Sequence, residues 1–188
     1  MAFSPLKSQW LRVGIVLLAV ASTRCGLFFV EVEESRVCKT VPNALFAPGI
    51  GGGQRETVKK SFAYDFGPEL LQVNGRALRT EVRILSVIFV AAQGTKDLNF
   101  ISKATIGLAS ASDGGTLPQL NVLTYEKPAG AAVNQSVTLT RAEPIDVTAY
   151  LARGKLDITA QITGTLPEQD WGLDIKTCLD VKVHYDYL

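Results

Sequence analysis

Reactive side chains are few along this chain, and their spacing excludes more chemistry than it supports. The single histidine, His184, falls on the polar side of an alternating segment with no Cys or His at ligand spacing, so a histidine-based metal site is not expected. As the base of a Ser-His-Asp arrangement it would need a presented serine, and no G-x-S-x-G element occurs. The imidazole therefore reads as a solvated surface group. Asp174, Asp180 and Asp186 recur with Lys176 and Lys182 between them. Glycoside hydrolysis needs two carboxylates about 5–10 Å apart, whereas extended chain would separate Asp174 from Asp180 by about 20 Å. Those two cannot act as a pair. Glu168 and Asp170 remain as acids in a loop without an identifiable partner. No catalytic set, metal or cofactor is expected, and the chain reads as a non-enzyme.

Gly49-Ile50-Gly51-Gly52-Gly53-Gln54 invites comparison with phosphate-binding loops and fails both templates. Gln54 stands where G-x-G-x-x-G requires glycine, and no Gly-Lys-Ser/Thr follows. With Pro42 and Pro48 nearby, residues 42–55 read as a long flexible loop, the kind of segment that carries binding residues on a rigid scaffold. Among aromatics, Trp171 is the only tryptophan after Trp10. It follows the loop Leu166-Pro167-Glu168-Gln169-Asp170, where it would either offer a flat face to a sugar ring or close one end of the core. Core is the expectation, because large aromatics dominate cores. Tyr125 is the second aromatic placed as a candidate ligand contact. Tyr185 and Tyr187 share the inward parity of the last strand.

The elements that must hold these residues are strands, because the dominant period is two. Leu173, Ile175, Leu179, Val181, Val183 and Tyr185 alternate with polar residues, which places Cys178 on the wet face. Leu156, Ile158, Ala160 and Ile162 alternate in the same way, and the two segments read as neighbours joined by a hairpin-type connection. Residues 28–33 form another strand, of edge character. Residues 57–66 and 98–109 read as strands, and 82–92, apolar on both faces, as a central one. Shorter candidates lie at 120–125 and 137–140. Asn74-Gly75, Gln93-Gly94-Thr95, Asp113-Gly114-Gly115 and Pro128-Ala129-Gly130 supply turns. Seven or more short strands with almost no helical period predict a single antiparallel β-sandwich, Ig-like or jelly-roll.

One helical turn interrupts the pattern. Asp146 is placed to cap residues 147–153, with Gly154 as the terminating glycine. The stretch from Pro144 to Ile158 resembles the helical turn leading into a strand in galactose-binding-like jelly rolls, and that resemblance implies a carbohydrate-binding role.

At the N-terminus, Lys7 and Arg12 precede the apolar run Val13 to Ala21, which Ser22, Thr23, Arg24 and Cys25 end. This is signal-peptide anatomy, and the run is too short to span a bilayer, which takes about 20 apolar residues. The run closing on Ser-Thr-Arg-Cys, followed by Gly26, resembles the lipobox of bacterial lipoproteins, with Arg24 where a small residue is usual. The resemblance implies a signal over residues 1–24, a mature domain over 25–188, acylation of Cys25 and, with Gly26 rather than Asp after it, an outer-membrane anchor. Cleavage after Ala19-Val20-Ala21 is the alternative and implies free secretion.

A lipid on Cys25 leaves Cys38 and Cys178 as the one available disulfide pair in an exported protein; the alternative is two buried, reduced thiols. In the same setting the Asn134-Gln135-Ser136 sequon is coincidental. Without residues 1–24 the chain keeps 16 basic and 18 acidic residues, a net charge of −2, which gives no electrostatic case for nucleic acid. The expectation is an exported lipoprotein of the cell envelope with a structural or binding role in adhesion or assembly. Its partners would be the membrane, through the lipid, and a protein or glycan; the alternative is a carbohydrate-binding module.

Overall fold

The computed structural model describes residues 28–67, 79–109, 117–133, 135–151 and 154–187, with 28–35, 79 and 183–187 described in the backbone alone. Eight strands are present among them: β1 (Phe28–Phe46), β2 (Glu56–Asp65), β3 (Arg79–Ala91), β4 (Ile101–Ala109), β5 (Leu120–Glu126), β6 (Ser136–Asp146), β7 (Lys155–Gly164) and β8 (Trp171–Tyr187). They form two four-stranded antiparallel sheets, β1-β8-β3-β6 and β2-β7-β4-β5. Successive strands change sheet at every step except β4 to β5, the winding of an eight-stranded jelly roll rather than an Ig-like sandwich.

Alternation builds the core. Leu156, Ile158, Ala160 and Ile162 of β7 face Leu173, Ile175, Leu179 and Val181 of β8 across the sandwich, all of them buried. These two strands lie in different sheets, so the hairpin expected between them does not form. Residues 165–170 instead cross the end of the sandwich, and the buried Leu166 and Trp171 plug the core there.

Parity slips explain the segment that read as apolar on both faces. In β3, Val82 and Ile84 point inward, but beyond Leu85 the buried residues are Val87 and Phe89. Leu85 is an extra residue against β8, whose Leu179 and Cys178 pair with Ile84 and Ser86. This β-bulge moves the inward face from even to odd positions. A second slip lengthens β1. Residues 42–46 were expected to be loop, yet the strand runs on to Phe46 with a register shift between Val41 and Ala44. Pro42 is tolerated because β1 is an edge strand and Pro42 sits in the bulge. Asn43 takes a φ of 45° there, and its N–H donates to Asp174 Oδ1 at 2.7 Å.

The open side between the edge strands β1 and β2 is fastened by two lysines on inward parity. Lys39 Nζ donates to the Asp65 carbonyl and Lys60 Nζ to the Leu45 carbonyl, and the two ammonium groups lie 5.8 Å and 5.6 Å from the Phe66 and Phe46 ring centroids. Each sheet edge thus lends a cation to the other sheet's backbone, and the aliphatic stems cover the apolar seam.

The helical turn is shorter than 147–153. It is a single 3₁₀ turn, Thr148–Tyr150, with Leu151 already extended. Asp146 Oδ1 accepts from the Thr148 N–H and hydroxyl at 2.8 and 2.6 Å. Tyr150 is drawn inward, its hydroxyl donating to the Pro118 carbonyl at 2.9 Å, so the chain leaves the helix before a second turn.

Candidate functional site

Four connections meet at the end of the sandwich reached by the C-terminal end of β1: residues 47–55, 92–100, 127–135 and 165–170. They are tied together through the backbone, with Gly49 N–H donating to Pro167 O at 2.7 Å, Gly172 N–H to Gln93 O at 2.7 Å and Thr165 N–H to Phe100 O at 3.1 Å. Asn99 Oδ1 accepts from the Val133 N–H at 2.7 Å. Gly164 is required by this close approach, since a Cβ there would lie 1.8 Å from Phe100 O.

Trp171 fills the base of that end. It is 0% exposed, stacks on Phe46 at 4.5 Å between centroids, meets Phe100 edge-on at 5.0 Å, and its Nε1–H donates to Ala47 O at 3.1 Å. The indole presents no face to a ligand, so the sugar platform considered for Trp171 is absent and the residue is core. Tyr125 lies elsewhere, half-buried on the edge strand β5 opposite Ala104; desolvation raises its phenol above the usual range. The two candidate aromatics are not brought together.

The glycine run is likewise closed on itself. Gly51, Gly52 and Gly53 hold φ values of 86°, 70° and 71°, three consecutive left-handed residues that side chains other than glycine resist. Such a turn aims N–H groups at an anion, and here the anions are the protein's own. Ile50 N–H donates to Glu56 Oε1 at 2.8 Å and Gly52 N–H to Glu168 Oε1 at 3.4 Å. The loop is anchored rather than free, and it leaves Ile50 88% exposed at its tip.

A different surface gathers unanswered charge. Cys38 and Cys178 face each other across β1 and β8 and form a disulfide with Cα atoms 4.1 Å apart, the close spacing of a narrow antiparallel pair. Cys178 keeps its outward face, yet the bridge leaves it only 6% exposed. The bridge floors an open groove of about 470 Å³ on the outside of the β1-β8-β3-β6 sheet, with Leu85, Ser86 and Ile88 of β3 beside it. The wall comes from β6. Ser86 pairs with Thr140 and Ile84 with Ile145, so residues 141–144 have no counterparts in β3 except Leu85 and arch over the face. Arg36, Arg141 and Lys176 line this groove.

Several described acids of the same sheet are engaged beside the groove. Arg83 contacts Glu81 at 2.6 Å, which raises the guanidinium pKa through the hydrogen bond and the charge, with Asp146 and Asp180 adding to it. Asp174 accepts from Asn43. Among the described residues Arg36, Arg141 and Lys176 form no ion pair, and no carboxylate lines the groove. No cluster of three or more His, Cys, Asp or Glu side chains capable of holding a metal occurs among the described residues.

Sequence reasoning missed these three cations because they sit on three strands. The available signal was apolar character on the outward side of β3, at Leu85 and Ile88. Cys25 and Asn134 lie outside the described residues, as do the His184, Tyr185 and Tyr187 side chains.

Strand order and surface together define an eight-stranded jelly-roll domain with a cationic outer-face groove. No family model matches the chain, and no curated protein does. Solved structures that match include the decameric BFDV capsid protein, 10% identical over 84% of this chain and 99% of that one with a TM-score of 0.33. The infectious bursal disease virus Gx strain structure is 12% identical over 84% of this chain and 38% of that one, with a TM-score of 0.33. The tobacco streak virus coat protein is 15% identical over 78% and 85%, with a TM-score of 0.26. At such identities and TM-scores these likenesses carry nothing about the role of this chain.

Proposed function

We propose that this chain is an exported lipoprotein of the cell envelope, anchored through an acylated Cys25 in the outer membrane, whose jelly-roll body has a structural or binding role in adhesion or assembly. The observation that carries the reading is the Cys38–Cys178 disulfide. It supports a compartment where disulfides persist and removes two of the three cysteines from consideration, leaving Cys25 for lipid. Gly26 in place of Asp favours the outer membrane. The alternative, a carbohydrate-binding module, no longer has Trp171 as a platform and rests on the outer-face groove. Intact-mass analysis of the mature protein tests the anchor. A chain beginning at Cys25 with acyl mass added is expected, and an unlipidated chain beginning at Ser22 overturns the proposal in favour of free secretion.

A further inference from the structure

We infer that the outer-face groove binds an acidic polysaccharide, a chain of sugars carrying carboxylates. Three observations lead there. The first is charge that the described part of the molecule does not answer. Arg36 lies two residues along β1 on one side of the disulfide, and Lys176, level with Thr40, lies two residues along β8 on the other, so their positions are about 14 Å apart along the strands. Arg141 stands on the far wall, beyond β3. Nearby carboxylates have other partners or stop short of an ion pair with these cations: Glu81 pairs with Arg83, Asp146 accepts from Thr148, and Asp174 accepts from Asn43. Asp180, level with Arg36 across the ladder and also level with Arg83, forms no salt bridge with Arg36. Glu143, in the same overhang as Arg141, does not line the groove.

The second observation is the floor. Leu85, Ile88, Ala142, Pro144 and the disulfide supply aliphatic and sulfur surface beside the hydroxyls of Ser86 and Thr140. A sugar ring presents the matching pair, C–H faces and hydroxyl edges, and a uronate adds a carboxylate that a guanidinium can take bidentately. The third is what the floor lacks. It is made of side chains on the face of a paired sheet, so the floor offers an acidic peptide no main chain for strand addition, and unpaired backbone beside it is confined to the 141–144 overhang. Among the described residues no aromatic lines the groove, so recognition falls on the charge rather than on stacking, and a neutral glycan should be refused.

The inference rests on the export reading only for where such a chain would be met. Titration of the purified, disulfide-intact protein tests the groove, while intact mass tests the anchor, so either can fail alone. Calorimetric titration with an oligogalacturonate long enough to span the three cations should show saturable binding that weakens as salt is raised from 50 to 500 mM, as screening of exposed charge requires. The fully methyl-esterified oligomer, with the same backbone and no charge, should not bind. The triple variant R36Q/R141Q/K176Q should bind about tenfold more weakly, the size expected when three exposed ion pairs are lost together, with its melting temperature held. If that variant does not fold, the three single variants and the salt series carry the test. Absence of oligogalacturonate binding overturns the inference, as does equal affinity for the esterified oligomer or an affinity insensitive to both salt and the substitutions. Tighter binding of oligoglutamate, or of phosphatidylglycerol vesicles, overturns it in favour of an acidic peptide or a membrane surface.

Discussion

The glycine-rich loop and the outer-face groove are both places where the chain concentrates groups that would welcome an ion, and they differ in who answers them. In the loop, Glu56 and Glu168 fold back onto the N–H groups of Ile50 and Gly52, so the anion-binding potential of three left-handed glycines is spent inside the molecule. In the groove, Arg36, Arg141 and Lys176 line one surface with no carboxylate among the described lining residues. A conspicuous motif in sequence can thus be structural closure, while an inconspicuous set of residues on three strands forms the exposed chemistry. What separates them is whether the counter-charge is already supplied by the fold.

Substitutions can break or sharpen that contrast. The largest effect belongs beneath the groove: removing the disulfide in the double variant Cys38→Ala, Cys178→Ala frees a loop with a sequence separation of 140 residues, which the chain-entropy model values at about 5 kcal/mol. Urea unfolding should place the double variant close to the reduced wild type, and near-identical stability of oxidised and reduced wild type would remove the bridge as a staple. Next comes the loop-bearing end, where Trp171→Ala should cost about 3–5 kcal/mol, as large aromatic truncations in cores do. Oligogalacturonate titration of the variant should leave groove affinity unchanged, and a coupled loss would show that the two regions are not independent. The smallest effect is expected from Glu56→Gln, which weakens one charge-assisted hydrogen bond to Ile50 by about 1 kcal/mol. Amide exchange at Ile50 should rise in that variant, and unchanged exchange would mean the loop is held by Pro167 and Glu168 instead.

Much of the architecture was legible because burial on one face of a sheet forces alternation. Leu156 to Ile162 and Leu173 to Val181 carry the period without interruption until Cys178, and their inward sides came out as read. Connectivity was not legible. Nothing in Gly164 to Asp170 distinguishes a tight hairpin from a crossing between sheets, because the deciding facts are the contact of Gly164 with Phe100 and the burial of Leu166 and Trp171 among residues distant in sequence. Bulges hid more: Leu85 inverts the parity of β3, and the Pro42–Asn43 bulge disguises the last turn of pairing in β1. Cys38 with Cys178 followed from counting thiols, whereas Arg36, Arg141 and Lys176 become neighbours only once register is known. The inward parity of Lys39 and Lys60, contrary to their charge, makes sense only beside the opposite sheet's carbonyls.

The place of the disulfide along β1 has a mechanical consequence. β1 is an edge strand held along one side by β8, with the N-terminal end of β1 paired to the C-terminal end of β8 and the bridge midway at Cys38. A pull on the N-terminal end can therefore peel Phe28–Val37 by opening backbone bonds one after another, but at Cys38 the load passes through a covalent link into β8, which is flanked on both sides by other strands. The bridge beneath the groove then carries the load, and the loop-bearing end beyond it is shielded from tension for as long as the two sulfurs stay joined.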